Sequence, residues 1–78
     1  MPKLLNVGPF RFFFYSNERG EAPHVHVAHE RKLAKFWLDP VELAKSGRFA
    51  AHELTRIEAI VSAHREEFLE AWHEHLKD

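Results

Sequence analysis

With 78 residues and no cysteine, the chain has room for one domain over residues 1–78 and excludes disulfides or a thiolate zinc site as sources of stability. A hydrophobic fraction of 45 % with ten aromatic residues excludes disorder, no stretch approaches the ~20 apolar residues of a membrane span, and Met1-Pro2-Lys3-Leu4-Leu5 is no signal peptide, so a soluble cytoplasmic protein is expected. The net charge of −1 conceals a division: residues 1–49 hold eight Lys/Arg against five Asp/Glu (+3), and residues 50–78 hold three against seven (−4).

Phe10-Arg11-Phe12-Phe13-Phe14-Tyr15 predicts a first strand over about Phe10–Ser16, because aromatics suit a pleated surface. The polar run Asn17-Glu18-Arg19-Gly20-Glu21 ends it, with Asn and Gly in turn roles. A second strand over about His24–Ala28 follows Pro23, and its valines and imidazoles alternate between faces. His29-Glu30-Arg31-Lys32 is a polar link without glycine, so its turn type stays open. A third strand covers about Leu33–Leu38 and stops at Asp39-Pro40, where proline removes a donor and restrains the residue before it. Val41-Glu42-Leu43-Ala44-Lys45 reads as a short fourth strand at the sheet edge, with a single helical turn as the alternative. Ser46-Gly47 then breaks the chain.

From about Ala51 to Lys77 the period changes. Leu54, Ile57, Val61, His64, Phe68, Ala71 with Trp72, and His75 step by three and four, which predicts an amphipathic helix. One long helix is the first reading, and a kink near Ser62 that divides it is the second. Glu53 stands where a capping-box acid would help, although Ala50 has no capping side chain. The expected fold is therefore α+β: a small antiparallel sheet of three or four strands over about residues 10–45, with the helical part (about 51–77) packed on one face.

Alternation sorts the side chains. Phe10, Phe12, Phe14, Val25, Val27, Ala34, Phe36 and Leu38 are expected beneath the helix. Arg11, Phe13, Tyr15, His24, His26, Lys35 and Trp37 then share the opposite face, which no remaining segment is available to cover. Basic groups interleaved with aromatics are what single-stranded RNA recognition uses, and the same composition makes a protein-interface hot spot or a self-association surface. His24-x-His26 places two imidazoles on one side of a strand. They are one ligand short of the three that catalytic zinc sites use, and His29 falls on the other face, so no metal or other cofactor is assigned, and a metal-binding protein that uses His24 and His26 is the third reading. His24, His26 and Arg11 are the candidate catalytic residues, with histidine as acid or base and Arg11 or Lys35 against phosphate charge. Phe13, Tyr15, Lys35 and Trp37 are the candidate binding surface. Glu70-x-x-His73 is one half of a di-iron motif that needs two. No Gly-rich phosphate loop, nucleophile elbow or paired-carboxylate signature occurs, which removes the common hydrolase and nucleotide-enzyme classes.

Gly8-Pro9-Phe10-Arg11-Phe12, Tyr15-Ser16-Asn17-Glu18, Pro23-His24-Val25-His26-Val27, Ala34-Lys35-Phe36-Trp37-Leu38 and Ala71-Trp72 occur in that order. Together they resemble the small bacterial DhiT family, long described as a domain of unknown function, from about Gly8 to Leu76. The resemblance implies the toxin of a type II toxin–antitoxin pair, neutralised by a neighbouring small protein, DhiA. It carries over no established catalytic residues. Arg11, Tyr15, His24, His26 and Lys35 occupy matching positions. Ala22 departs from a proline frequent in relatives, and the His29–Lys32 turn lacks their usual glycine. The expected partners are thus an antitoxin-like protein, RNA, or a second copy of the chain, and no membrane.

Overall fold

In the computed structural model, residues 3–15 and 20–76 are described. Five strands, β1 (Lys3–Val7), β2 (Phe10–Phe13), β3 (His24–His29), β4 (Lys32–Leu38) and β5 (Val41–Lys45), form one antiparallel meander in the order β1-β2-β3-β4-β5. Two helices follow, α1 (Ala51–Ala63) and α2 (Arg65–Leu76). The α+β class agrees with expectation, and Val41–Lys45 is a strand. The first expected strand stops at Phe13, short of Ser16, with Phe14 and Tyr15 following it outside the sheet ladder. Ser16, the turn residues 17–19 and the expected helix end at Lys77 lie outside the described residues.

Two element counts differ from the sequence reading. The sheet has five strands among the described residues rather than three or four, because β1 precedes the first aromatic run. Its register steps from Lys3↔Phe13 to Leu5↔Phe12, so Leu4 is the extra residue of a bulge. That bulge breaks the period-2 alternation by which a strand is recognised. Gly8 and Pro9 then close a two-residue hairpin, Gly8 supplying the positive φ (57°) that a primed turn needs.

The second difference is the helix, which is two helices broken at His64, the alternative reading with its kink moved from Ser62. His64 leaves helical geometry (φ −108°, ψ 16°), yet its N–H still reaches the Ile60 carbonyl (3.0 Å) and its own carbonyl accepts from Phe68 N–H (2.9 Å). The apolar stripe therefore passes through the break in phase, and periodicity alone does not reveal it. Arg65, the first residue of α2, reaches the β4–β5 turn: its Nε donates to the Leu38 carbonyl (2.8 Å) and a terminal nitrogen to Asp39 (2.9 Å).

The helices cover one sheet face, and the expected residues form the core. Phe10, Phe12, Phe14, Val25, Val27, Ala34, Phe36 and Leu38 pack with Phe49, Ile57, Val61, Phe68 and Trp72. Phe12 lies 5.5 Å from Phe68, and Phe14 meets Trp72 edge-on at 5.2 Å. Each buried ring of this kind contributes on the order of 2 kcal/mol through area removed from water. At the start of α1, the Glu53 carboxylate accepts the Ala50 N–H (2.9 Å) and both of its oxygens meet Lys32 Nζ (3.0 and 3.1 Å). Half of a capping box thus forms without a capping side chain at residue 50. The glycine-free turn closes as well. Glu30 takes a φ of 57°, and β3 and β4 pair in unbroken register from His24↔Trp37 to His29↔Lys32.

Candidate functional site

The site lies on the sheet face turned away from the helices, and strand pairing builds it in rows. Phe13 pairs with His26, His26 with Lys35, and Lys35 with Lys45, so these four side chains cross the sheet on one face. One row further along, His24 pairs with Trp37 and Trp37 with Glu42. One row back, Arg11 pairs with Ala28 and Ala28 with Leu33.

The rings stabilise one another. His26 stacks on Phe13 (5.6 Å between centroids) and meets Tyr15 at 4.4 Å, while Phe13 meets Tyr15 edge-on at 5.3 Å. Phe13 and His26 are therefore buried at this face, and Tyr15 stays 40 % exposed above them. Its backbone is fixed by a residue distant in sequence, since His75 Nε2 donates to the Tyr15 carbonyl (2.9 Å).

Beside this cluster a hollow of about 240 Å³ is lined by Tyr15, Glu21, His26, Leu33, Ala34, Lys35 and Lys45. Lys35 is held on two sides. Its Nζ sits 4.5 Å from the Trp37 ring centroid and 2.7 Å from a Glu21 carboxylate oxygen.

Residues 10–73 match the family described as a domain of unknown function, DUF4160. The chain belongs to this family. No curated protein and no solved structure matches it. The DUF4160 match runs from the start of β2 to within α2, so it takes in every residue of the hollow and leaves β1 outside.

Within this DUF4160 domain the expected residues divide. Tyr15, His26 and Lys35 come together in the hollow. Phe13 packs against Tyr15 and His26, and Trp37, half-buried, supports Lys35. Arg11 is exposed on the same face but does not line the hollow. His24, expected on open display, is fully buried. Its ring lies 4.7 Å from Trp72, 5.7 Å from Trp37 and 5.1 Å from His26, and its Nδ1 bonds the Ala22 carbonyl (2.9 Å). Alternation placed His24 on the correct face but did not show that Trp72, from α2, closes over the sheet end. His24 is thus enclosed and does not line the hollow.

His29 falls on the helix face as expected, edge-on to Phe10 at 5.8 Å, with a buried Nδ1 that bonds no described residue. Among the described residues no three His, Asp or Glu side chains gather as a metal site. No described helix is long and apolar enough to cross a membrane.

Two charged residues of the hollow escaped the sequence reading. Lys45 belongs by simple alternation to the helix face. A register shift between Lys35 and Phe36 turns it to the other side, so that Lys45 opposes Lys35 while Leu43 still opposes Phe36. Glu21 sat in a segment read only as a turn.

Proposed function

We propose that this protein is the toxin-like component of a type II toxin–antitoxin pair, acting in the cytoplasm on RNA or translation. A small cognate protein docks on the second sheet face and neutralises it. The observation that carries the reading is the hollow between Tyr15, His26, Lys35 and Lys45, which sets an exposed ring, an imidazole and two ammonium groups around one space. A ring that stacks on a base beside cations that meet phosphate is the chemistry of single-stranded RNA binding. The resemblance of the Gly8–Phe12, Tyr15–Glu18 and Pro23–Val27 segments to the DhiT family supports the same reading.

If the protein cleaves RNA, it does so as a metal-independent ribonuclease. His26 exchanges a proton with the reacting ribose or leaving oxygen, and Lys35, with Arg11 at the margin, holds phosphate charge. His24, enclosed against Trp72, orients His26 and does not touch RNA. The test is inducible expression of wild type and His26→Asn in bacteria, with folding of the purified proteins checked by circular dichroism. Growth arrest by the wild type and none by a folded variant supports the catalytic reading. Equal arrest by both removes His26 from the chemistry, and harmlessness of both removes the toxin assignment.

A second reading, a non-enzymatic module that binds protein or a second copy of itself, is favoured by Leu33 (41 %) and Tyr15 (40 %) standing exposed on the same face. Salt dependence separates the two: phosphate contacts weaken steeply as salt rises, and an apolar interface does not.

A further inference from the structure

We propose that Lys35, Lys45 and His26 form a phosphoryl-binding subsite and that the Glu21 carboxylate occupies it in the ligand-free protein; this deepens the RNA reading above and rests on it. Two lysines directly opposed across neighbouring strands repel each other, and a sheet tolerates the pair when an anion lies with them. Here the opposition is made by the register shift between Lys35 and Phe36, which turns Lys45 toward Lys35 and away from the helix face. Bulges that re-aim a side chain cluster beside functional sites. The anion present is Glu21, 2.7 Å from Lys35 and lining the same hollow as Lys45 and His26.

The two partners differ in how firmly they are held. The Lys35 side chain is only 15 % exposed and is positioned by the Trp37 ring, whereas the Glu21 side chain is 45 % exposed. The lysine is built into the sheet, and the carboxylate reaches it from the segment preceding β3. A phosphate diester carries the same charge as this carboxylate, and a terminal phosphate carries more charge and more acceptor oxygens. Either competes with Glu21 for Lys35, and an attached base gains the Tyr15 ring. The ligand chemistry is thus a phosphoryl group linked to a base, and Glu21 sets a threshold that weakens the binding of bare anions.

The experiment measures fluorescence anisotropy of a labelled single-stranded RNA oligonucleotide with full-length wild type, Glu21→Gln, Lys35→Gln and Lys45→Gln, across a salt series. Glu21→Gln should bind several-fold more tightly. Each lysine variant should bind more weakly, with the salt slope reduced by about 1. Inorganic phosphate should compete with the RNA on Glu21→Gln at lower concentration than on the wild type.

Failure of both wild type and Glu21→Gln to bind RNA overturns the RNA reading itself. RNA binding that the lysine variants weaken but Glu21→Gln leaves unchanged or lowers overturns the internal occupant and spares that reading. Competition by unlabelled RNA but never by phosphate overturns the phosphoryl assignment. Glu21→Ala, measured alongside, separates loss of charge from a new contact made by glutamine.

Discussion

His75, in the last turn of α2, donates its Nε2–H to the backbone carbonyl of Tyr15 at 2.9 Å, a bond across 60 residues of sequence. A carbonyl only accepts, so the ring carries its proton on Nε2 when this bond is made. The same ring lies 5.5 Å from Phe14, and Phe14 is edge-on to Trp72. The end of the helical layer therefore fixes the backbone that presents the exposed ring of the hollow.

His75→Ala should remove one partly exposed hydrogen bond and some ring packing, costing about 1 kcal/mol. For a domain of this size that lowers Tm by roughly 4–8 °C. Amide exchange should accelerate around Phe14 and Tyr15 and stay unchanged in β3 and β4. Uniform acceleration throughout the sheet would show that His75 supports the whole fold and not Tyr15 in particular.

Arg65 makes the corresponding junction at the other helix end, joining Leu38 and Asp39 to the start of α2. Arg65→Ala is expected to cost about 1–2 kcal/mol, since the bond to the Leu38 carbonyl is partly buried and charge-assisted. Arg65→Lys should recover little of it, because a single ammonium does not reproduce the guanidinium fork. Asp39→Asn should cost less than about 1 kcal/mol, as exposed ion pairs do. Urea unfolding of the three variants checks the order. An Asp39→Asn loss equal to that of Arg65→Ala would place the stabilisation in the ion pair instead.

The residues that sequence reading located correctly are those whose position follows from period alone. Phe10, Phe12, Phe14, Val25 and Val27 alternate without interruption, and Ile57, Val61, Phe68 and Trp72 keep helical phase, so both sides of the core were legible. Two departures fall where one residue is added. The bulge at Leu4 hid β1, and the shift between Lys35 and Phe36 concealed that Lys45 joins Lys35. The break at His64 preserved phase, so the period did not locate it and a kink near Ser62 stood only as the alternative reading. The burial of His24 was hidden for another reason: it depends on Trp72 closing over the sheet end, a tertiary contact between positions that no local pattern links. The His26–Lys35 part of the site was visible in the sequence, and its Glu21–Lys45 part was not.

Glu53 gives a pH dependence with a defined sign. The Ala50 N–H, and after it Lys32, hold its carboxyl below the usual glutamate value. A carboxyl whose pKa is lowered by folding contributes stability that is fully present above its unfolded pKa, about 4.3, and is lost as pH falls through the lower folded value. The stability margin of wild type over Glu53→Ala should therefore be constant from about pH 5 to 8 and shrink below about pH 4. Thermal melts of both proteins across that range check it. A margin that persists undiminished at the acid end would assign the effect of Glu53 to helix propensity and packing, not to its charge.

Gly8 and Gly47 share a left-handed backbone, with φ of 57° and 55°, but differ in their surroundings. A Cβ at Gly8 meets nothing within 4 Å. At Gly47 it would lie 1.8 Å from the Leu33 carbonyl oxygen and 2.6 Å from its carbon, both rigid backbone atoms at the start of β4. Gly8→Ala should therefore cost only the left-handed penalty of about 1 kcal/mol. Gly47→Ala must also push the segment after β5 off the sheet, and more than about 3 kcal/mol is expected by the combination of strain and clash. On the proposed RNA-binding reading, and because Leu33 and Lys45 both line the hollow, a Gly47→Ala protein that still folds should lose RNA affinity as well as stability, and Gly8→Ala should lose neither to a comparable degree. Equal melting temperatures for the two variants would mean that the chain around Gly47 yields without disturbing β4, and that the approach of these two segments does not hold the hollow in shape.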